Sequence, residues 1–148
     1  MIELSIFGST QCALVDEGME DLTKYRWRLD RGGYVYRKKR GNRIYLHHLV
    51  LPGSRWPMFV RDHANRNKLD NRSANLRWLD QRCSAQNKGP QKRNSTGIRG
   101  VTKYGKGYRA VVTLDGTVHR LGTFRTIEEA TRLVSEWRLA RMPFSFEG

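Results

Sequence analysis

Residues 86–96, QNKGPQKRNST, are polar, basic and rich in turn formers, and no apolar periodicity crosses them. Such a stretch cannot carry a strand or helix face into a core, so it reads as a linker or an extended arm. It separates two short pieces, 1–85 and 97–148. Only 38% of the 148 residues are apolar, so each piece can build only a small core.

The charge is divided by the same stretch. The chain carries a formal net charge of +14, and residues 1–84 and 85–148 contribute +7 each. An excess of this size fits a polyanion, with Lys and Arg displacing counterions from phosphates. An anionic membrane is the rival partner. The apolar run from Ile44 to Leu51 is interrupted by histidines and is too short to span a bilayer. No long basic amphipathic helix offers an aromatic apolar face. Nucleic acid is therefore the expected partner, and membrane is not. The N-terminus, MIELSIFGST, lacks the basic start and long apolar core of a signal peptide, so a cytoplasmic location is expected. Cys12 and Cys83 form no CxxC pair, so no structural zinc is expected and both thiols read as reduced.

The C-terminal piece has the clearer pattern. Ile98–Lys103, Tyr108–Leu114 and Thr117–Phe124 are strand candidates, the last two joined by the hairpin turn Asp115-Gly116. Thr126 and Glu129 form a capping-box pair. Apolar residues then follow at Ile127, Ala130, Leu133, Val134 and Trp137, which is helical spacing. The expectation is a three-stranded antiparallel sheet packed on one helix. The N-terminal piece is β-rich. It opens with Ile2–Phe7 and Cys12–Val15, and a short helix is expected around Glu17–Lys24. GYVYRKK and RIYLHHLVL then flank Arg40-Gly41-Asn42, read as a hairpin with a Gly-Asn turn. After Pro52 the chain loops through RWPMF. Phe59–His63 and Leu76–Leu79 read as strands, and a short helix is expected around Asp80–Lys88. The whole is α+β.

The chemistry concentrates at Asp62-His63 and at Asn75-Leu76. Phosphodiester hydrolysis needs a base to take a proton from water and a divalent cation to steady developing charge. Imidazole titrates near neutrality, so His63 suits the base. Asp62 is a hard oxygen ligand for Mg²⁺ or Mn²⁺. Neighbours on a strand point to opposite faces, so the two can aim at one point only where the strand ends or distorts. An amide such as Asn75 can hold the imidazole in one orientation. Arg61, Arg66, Lys68, Arg72 and Arg77 are candidate phosphate contacts, as are Lys92 and Arg93 in the arm. His47 and His48 read as one buried, hydrogen-bonded histidine and one exposed near phosphate.

LHHLVL at 46–51, VRDHANRNKLDNRSANLRWL at 60–79 and SAQNK at 84–88 resemble the HNH endonucleases of the phage and intron homing branch. The resemblance implies a ββα-metal fold with its core at about 44–88, within a nuclease domain at 1–85. It implies His63 as general base, Asp62 as metal ligand and Asn75 as the residue positioning the histidine. One divalent ion per site is implied, and host-cell cytoplasm if the chain is phage-encoded. The family's third letter, a metal-binding His or Asn, falls here on Ser84, whose hydroxyl is a poorer ligand. Three readings stay open: Ser84 ligates weakly, directly or through water; Asn87 takes its place; or the chain is a variant of reduced activity.

GIRGVTK at 97–103, GYRAVVTLDG at 107–116, HRLGTF at 119–124 and the EEA at 128–130 resemble the plant ethylene-response-factor (APETALA-type) DNA-binding domain. In that family the sheet enters the major groove, and one face of it meets DNA. The resemblance implies an outward set of Arg99, Lys103, Tyr104, Lys106, Arg109 and Arg120. Arg120 stands where plant members often carry tryptophan, so base preference does not transfer. The resulting expectation is a metal-dependent DNA endonuclease that nicks or cleaves duplex DNA, as a monomer or homodimer. The alternative is a non-cleaving DNA-binding or regulatory protein on the same scaffold. No RRM or KH signature supports an RNA-binding class.

Overall fold

Alternating apolar residues at the N-terminus give β1, Ile2–Ser5, and β2, Cys12–Val15, paired antiparallel with Leu4 opposite Ala13. The computed structural model describes residues 1–53 and 58–146, so Arg55, Trp56 and Pro57 of the expected RWPMF loop lie outside the described residues. It divides the chain into two units, Met1–Gln81 and Arg82–Gly148.

In the first unit a 3₁₀ helix, Glu20–Lys24, leads into a three-stranded antiparallel sheet of β3 (Arg28–Leu29), β4 (Val35–Lys39) and β5 (Asn42–Tyr45). The β4–β5 turn is Arg40-Gly41, one residue earlier than expected, because Lys39 pairs with Asn42. Both turn residues have positive φ, 50° and 83°, as a primed hairpin turn requires. The expected strand through 43–51 is also corrected. β5 stops at Tyr45, and Leu46–Val50 form a short helix, α1. Its buried residues, Leu46, His47 and Val50, follow helical spacing, and Leu51 N–H closes it on the His47 carbonyl at 3.0 Å.

β6 (Phe59–His63) and β7 (Leu76–Asp80) form an antiparallel hairpin, with Asp62 opposite Arg77 and His63 opposite Leu76. The long loop between them is fastened to β2. Leu14 N–H donates to the Leu69 carbonyl and Asn71 N–H to the Leu14 carbonyl, both at 2.8 Å. Leu4, Ile6, Ala13, Val15, Trp27, Val35, Leu46, Val50 and Leu76 make one core, with Trp27 1% exposed.

The second unit begins within α2, Gln81–Gln86. Its sheet runs in the order β10 (Thr117–Phe124), β9 (Gly107–Leu114), β8 (Val101–Tyr104), all antiparallel. The β9–β10 turn is Asp115-Gly116, with φ 49° and 79°. α3, Ile127–Arg141, starts on a capping box: Thr126 Oγ1 accepts from Glu129 N–H, and Glu129 Oε2 accepts from Thr126 N–H. Ala130 and Val134 of α3 share a core with Val101, Ala110, Val112 and Met142. The segment read as a linker is tied into this unit. Asn94 Nδ2 donates to the Ile98 carbonyl at 2.7 Å, and Thr96 Oγ1 to the Val101 carbonyl at 2.7 Å. The fold is α+β, with small antiparallel sheets and few helices. No helix among the described residues is long and apolar enough to cross a membrane.

Candidate active site

The end of β6 delivers Asp62 and His63, with His63 the last residue of the strand. Asp62 reaches across the hairpin, where its Oδ2 accepts from Arg77 Nε at 3.0 Å. His63 turns inward and is 5% exposed. Its ring packs 6.0 Å from Tyr34 and 5.5 Å from His47, centroid to centroid.

An amide within hydrogen-bond distance of the His63 ring is that of Asn71. Asn71 is fully buried, and its Oδ1 lies 3.2 Å from His63 Nε2. Its Nδ2 donates to the carbonyls of Lys68 and Leu69, each at 3.1 Å, so only the oxygen can face the ring. Nε2 therefore carries the proton and donates, and Nδ1 keeps the lone pair. Burial holds the imidazole below its ordinary pKa. The Asn71 bond and the Asp62 and Asp70 carboxylates pull it partly back, while Lys68 adds to the depression. His63 is thus neutral near pH 7, the protonation state a base requires.

Asn75 works one step further out. Its Nδ2 donates to the Asp70 carbonyl at 2.7 Å, its Oδ1 accepts from Asn65 N–H at 2.9 Å, and its own carbonyl accepts from Ala64 N–H at 2.8 Å. It closes the loop that carries Asn71. Asp70, 2% exposed, braces the same loop. Both its oxygens take Arg72 nitrogens at 2.7 Å, and Oδ2 also takes Asn65 Nδ2 at 2.9 Å. The Arg72 bonds hold this carboxyl below the usual carboxylate range.

Several expected phosphate contacts have internal partners. Arg61 donates to the Leu51 and Gly53 carbonyls and lies over Trp78, 4.3 Å from its centroid. Lys68 donates to the Gly32 carbonyl at 2.6 Å and sits over Tyr34. Arg72 and Arg77 hold Asp70 and Asp62. Arg66 occupies a left-handed turn position, φ 61°, in the loop. Ser84 lies half-buried on α2, in the second unit, whereas Asp62, His63 and Asn75 belong to the first. Asn87 is buried, and its Oδ1 accepts from Phe146 N–H at 3.2 Å, so that oxygen is already engaged within the second unit. Among the described residues no group of three His, Cys, Asp or Glu could hold a metal ion. Mg²⁺ does not demand one, since it binds through one or two carboxylates, with waters and substrate phosphates completing its shell. Asp62 fits that minimal role.

Asp70 and Asn71 read in the sequence as loop formers rather than as parts of the site, and Tyr34 carries no signal there. Asn71 and Asp70 lay inside the LDNR run, and their residue types were the only signal. Of the His47–His48 pair, in which one buried, hydrogen-bonded ring was expected, His47 is the buried one. It is 8% exposed, and its Nδ1 has no partner among the described residues.

In the second unit, register sorts the expected outward set. Ala110 and Val112 pack toward α3, so Arg109 and Val111 face away, and Arg120 pairs with Val111. Tyr104 shares that face, with the Arg109 guanidinium 3.6 Å from its ring centroid. Lys103 pairs with Tyr108, which packs on the core, and so falls on the other face. Lys106 sits in the β8–β9 turn. Arg99 turns back to α2, its guanidinium donating to the Ala85, Gln86 and Lys88 carbonyls. Lys92 and Arg93 are exposed.

No profile of a known protein family matches the chain, and no solved structure matches it. The chain is 27% identical over 115 residues to a protein of Acanthamoeba polyphaga mimivirus named "Uncharacterized HNH endonuclease". The match covers 76% of this chain, and the chain spans 60% of that relative's length. This similarity supports the HNH endonucleases as the family toward which the chain points.

Proposed function

We propose that the chain is a metal-dependent HNH endonuclease that nicks duplex DNA, with residues 1–85 as the nuclease domain and 97–148 as an ethylene-response-factor-like DNA-binding domain. The observation that carries this reading is the oriented, neutral His63, whose Nε2 is fixed by Asn71 and whose Nδ1 keeps a lone pair. The β6–β7–α2 order and the similarity to a protein named an HNH endonuclease support it.

In this mechanism His63 Nδ1 takes the proton of the attacking water as its oxygen bonds to phosphorus. Asn71 holds the ring so that the lone pair stays aimed, and Asn75 keeps the loop closed behind it. Asp62 would be a protein ligand of the divalent ion, and Arg77 shares its carboxylate. When bound, the ion supplies charge stabilisation for the leaving oxygen. Tyr104, Arg109 and Arg120 meet the DNA from the sheet of the second unit. The +14 charge supplies the rest of the affinity. Duplex affinity is therefore expected to fall steeply with added salt; binding that is unchanged between low and near-physiological salt removes the electrostatic part of the reading.

Ser84→Asn tests the enzyme against the binding-protein alternative. An amide carbonyl reaches further than a hydroxyl and suits a hard cation better. A misplaced ion can cost about a hundredfold in rate, so the substitution is expected to raise cleavage by up to that factor at limiting Mg²⁺. The check is a Mg²⁺ titration of both chains on a labelled duplex at fixed occupancy. Equal rates throughout place the metal away from residue 84. Two inert chains favour a non-cleaving DNA-binding protein.

A further inference from the structure

Beside His63 the first unit holds a cavity of about 290 Å³ bounded by Asp30, Tyr34, Tyr45, His47, His48 and Arg61. His47 joins the two features: its ring lies 5.5 Å from that of His63, and it lines the cavity. It is 8% exposed, and its Nδ1 is buried with no hydrogen-bond partner among the described residues. A buried polar atom left in this state is costly, and a ligand that meets it removes the cost.

The charge around the cavity says what kind of ligand. Arg61 is pinned by its bonds to the Leu51 and Gly53 carbonyls and by Trp78, none of which cancels its charge. The one carboxylate in the wall, Asp30, is turned to other partners. Its oxygens accept from Gly32 N–H at 2.8 Å, Tyr34 N–H at 2.9 Å and the Tyr45 hydroxyl at 3.1 Å. His48 is exposed at the rim. A fixed cation, an imidazole nitrogen in want of a partner and a satisfied carboxylate suit an anion rather than a metal ion.

We propose that this cavity is a phosphate subsite, in which the His47 imidazole and Arg61 hold a backbone phosphate of the DNA next to the one attacked by the water that His63 activates. The identity of the ligand as DNA rests on the nuclease reading; the anion chemistry of the cavity does not. His47 acts as a neutral donor. Burial, helped by His48, His63 and Arg61, pushes its pKa down to about 3, and Asp30 only partly opposes this. Arg61 carries the positive charge, and the imidazole adds a directed hydrogen bond to a phosphate oxygen.

The test uses the full chain with ¹⁵N-labelled histidines and a chelator present, so that no cutting occurs. Inorganic phosphate and a short duplex are titrated separately while the His47 ring nitrogens are followed by NMR. Both ligands are expected to shift His47 Nδ1 saturably. In His47→Gln, whose melting temperature reports whether it folds, half-saturating phosphate is expected to rise at least about tenfold. A wild-type His47 ring unmoved by both ligands overturns the subsite, whatever the variant does. A ring moved by inorganic phosphate but not by duplex overturns the backbone assignment and leaves a free-anion site. The two proposals fail separately. A chain that binds phosphate at His47 yet never nicks DNA counts against the nuclease, and one that nicks with His47 silent counts against the subsite alone.

Discussion

His63→Ala is expected to slow strand cleavage by about 10²- to 10⁴-fold, the usual contribution of a general base, while duplex affinity stays nearly unchanged. In the proposed mechanism the ring is the proton acceptor, and the Asn71 amide lies 3.2 Å from its Nε2. On this reading affinity is expected to come from the cations spread over both halves of the chain, and the substitution removes none of them. The wild-type pH profile should carry the same signature. Burial depresses the His63 pKa below 6.5. The rate should therefore be flat around neutral pH and fall only as acid protonates Nδ1. A cation at Asp62 would push in the same direction. Gel-shift titration and single-turnover cleavage of one labelled duplex measure both quantities. A His63→Ala chain that cuts at the wild-type rate removes His63 from the mechanism.

Trp27→Ala is expected to cost about 3–5 kcal/mol, as for other buried aromatics cut back to alanine. Trp27 is 1% exposed at the centre of the first core, and its Nε1 donates to the Leu22 carbonyl at 2.9 Å. Its backbone bridges to Ile6, its carbonyl accepts from Phe7 N–H, and its ring meets Tyr25 edge-on. Small domains are stable by only about 5–15 kcal/mol in total, so much of the first unit's stability should be lost. The α3 core contains no residue of this cluster and should keep its own transition. Urea unfolding followed by NMR signals of each unit separates the two. A Trp27→Ala chain that unfolds at the wild-type midpoint contradicts the packing.

The elements legible in the sequence were those with a local signature. Phe59–His63 was read with the bounds it has, as was Thr117–Phe124, and Asp115-Gly116 and the Thr126–Glu129 box announced a turn and a cap. What escaped depended on partners distant in sequence. Leu46–Val50 looked strand-like because histidines blurred its period, yet burial of Leu46, His47 and Val50 makes it a helix. The polar run at 86–96 is a separate case: Asn94 and Thr96 bond carbonyls only four and five residues on, and apolar periodicity carries no sign of such bonds. In the site, Asp62 and His63 could be picked by residue type. Asn71 could not be preferred over Asn75, because the choice depends on how the loop folds back onto β2 through Leu14.

Conversion of supercoiled plasmid by the unaltered chain, with Mg²⁺ or Mn²⁺ and then with chelator, tests the central claim most directly. A single site of this kind cuts one strand. Open circles are therefore expected to accumulate ahead of any linear product and to stop forming when the ion is removed. Plasmid that stays supercoiled at every metal concentration, in samples where a gel shift shows the DNA bound, would contradict a working nuclease and leave a DNA-binding protein on its scaffold.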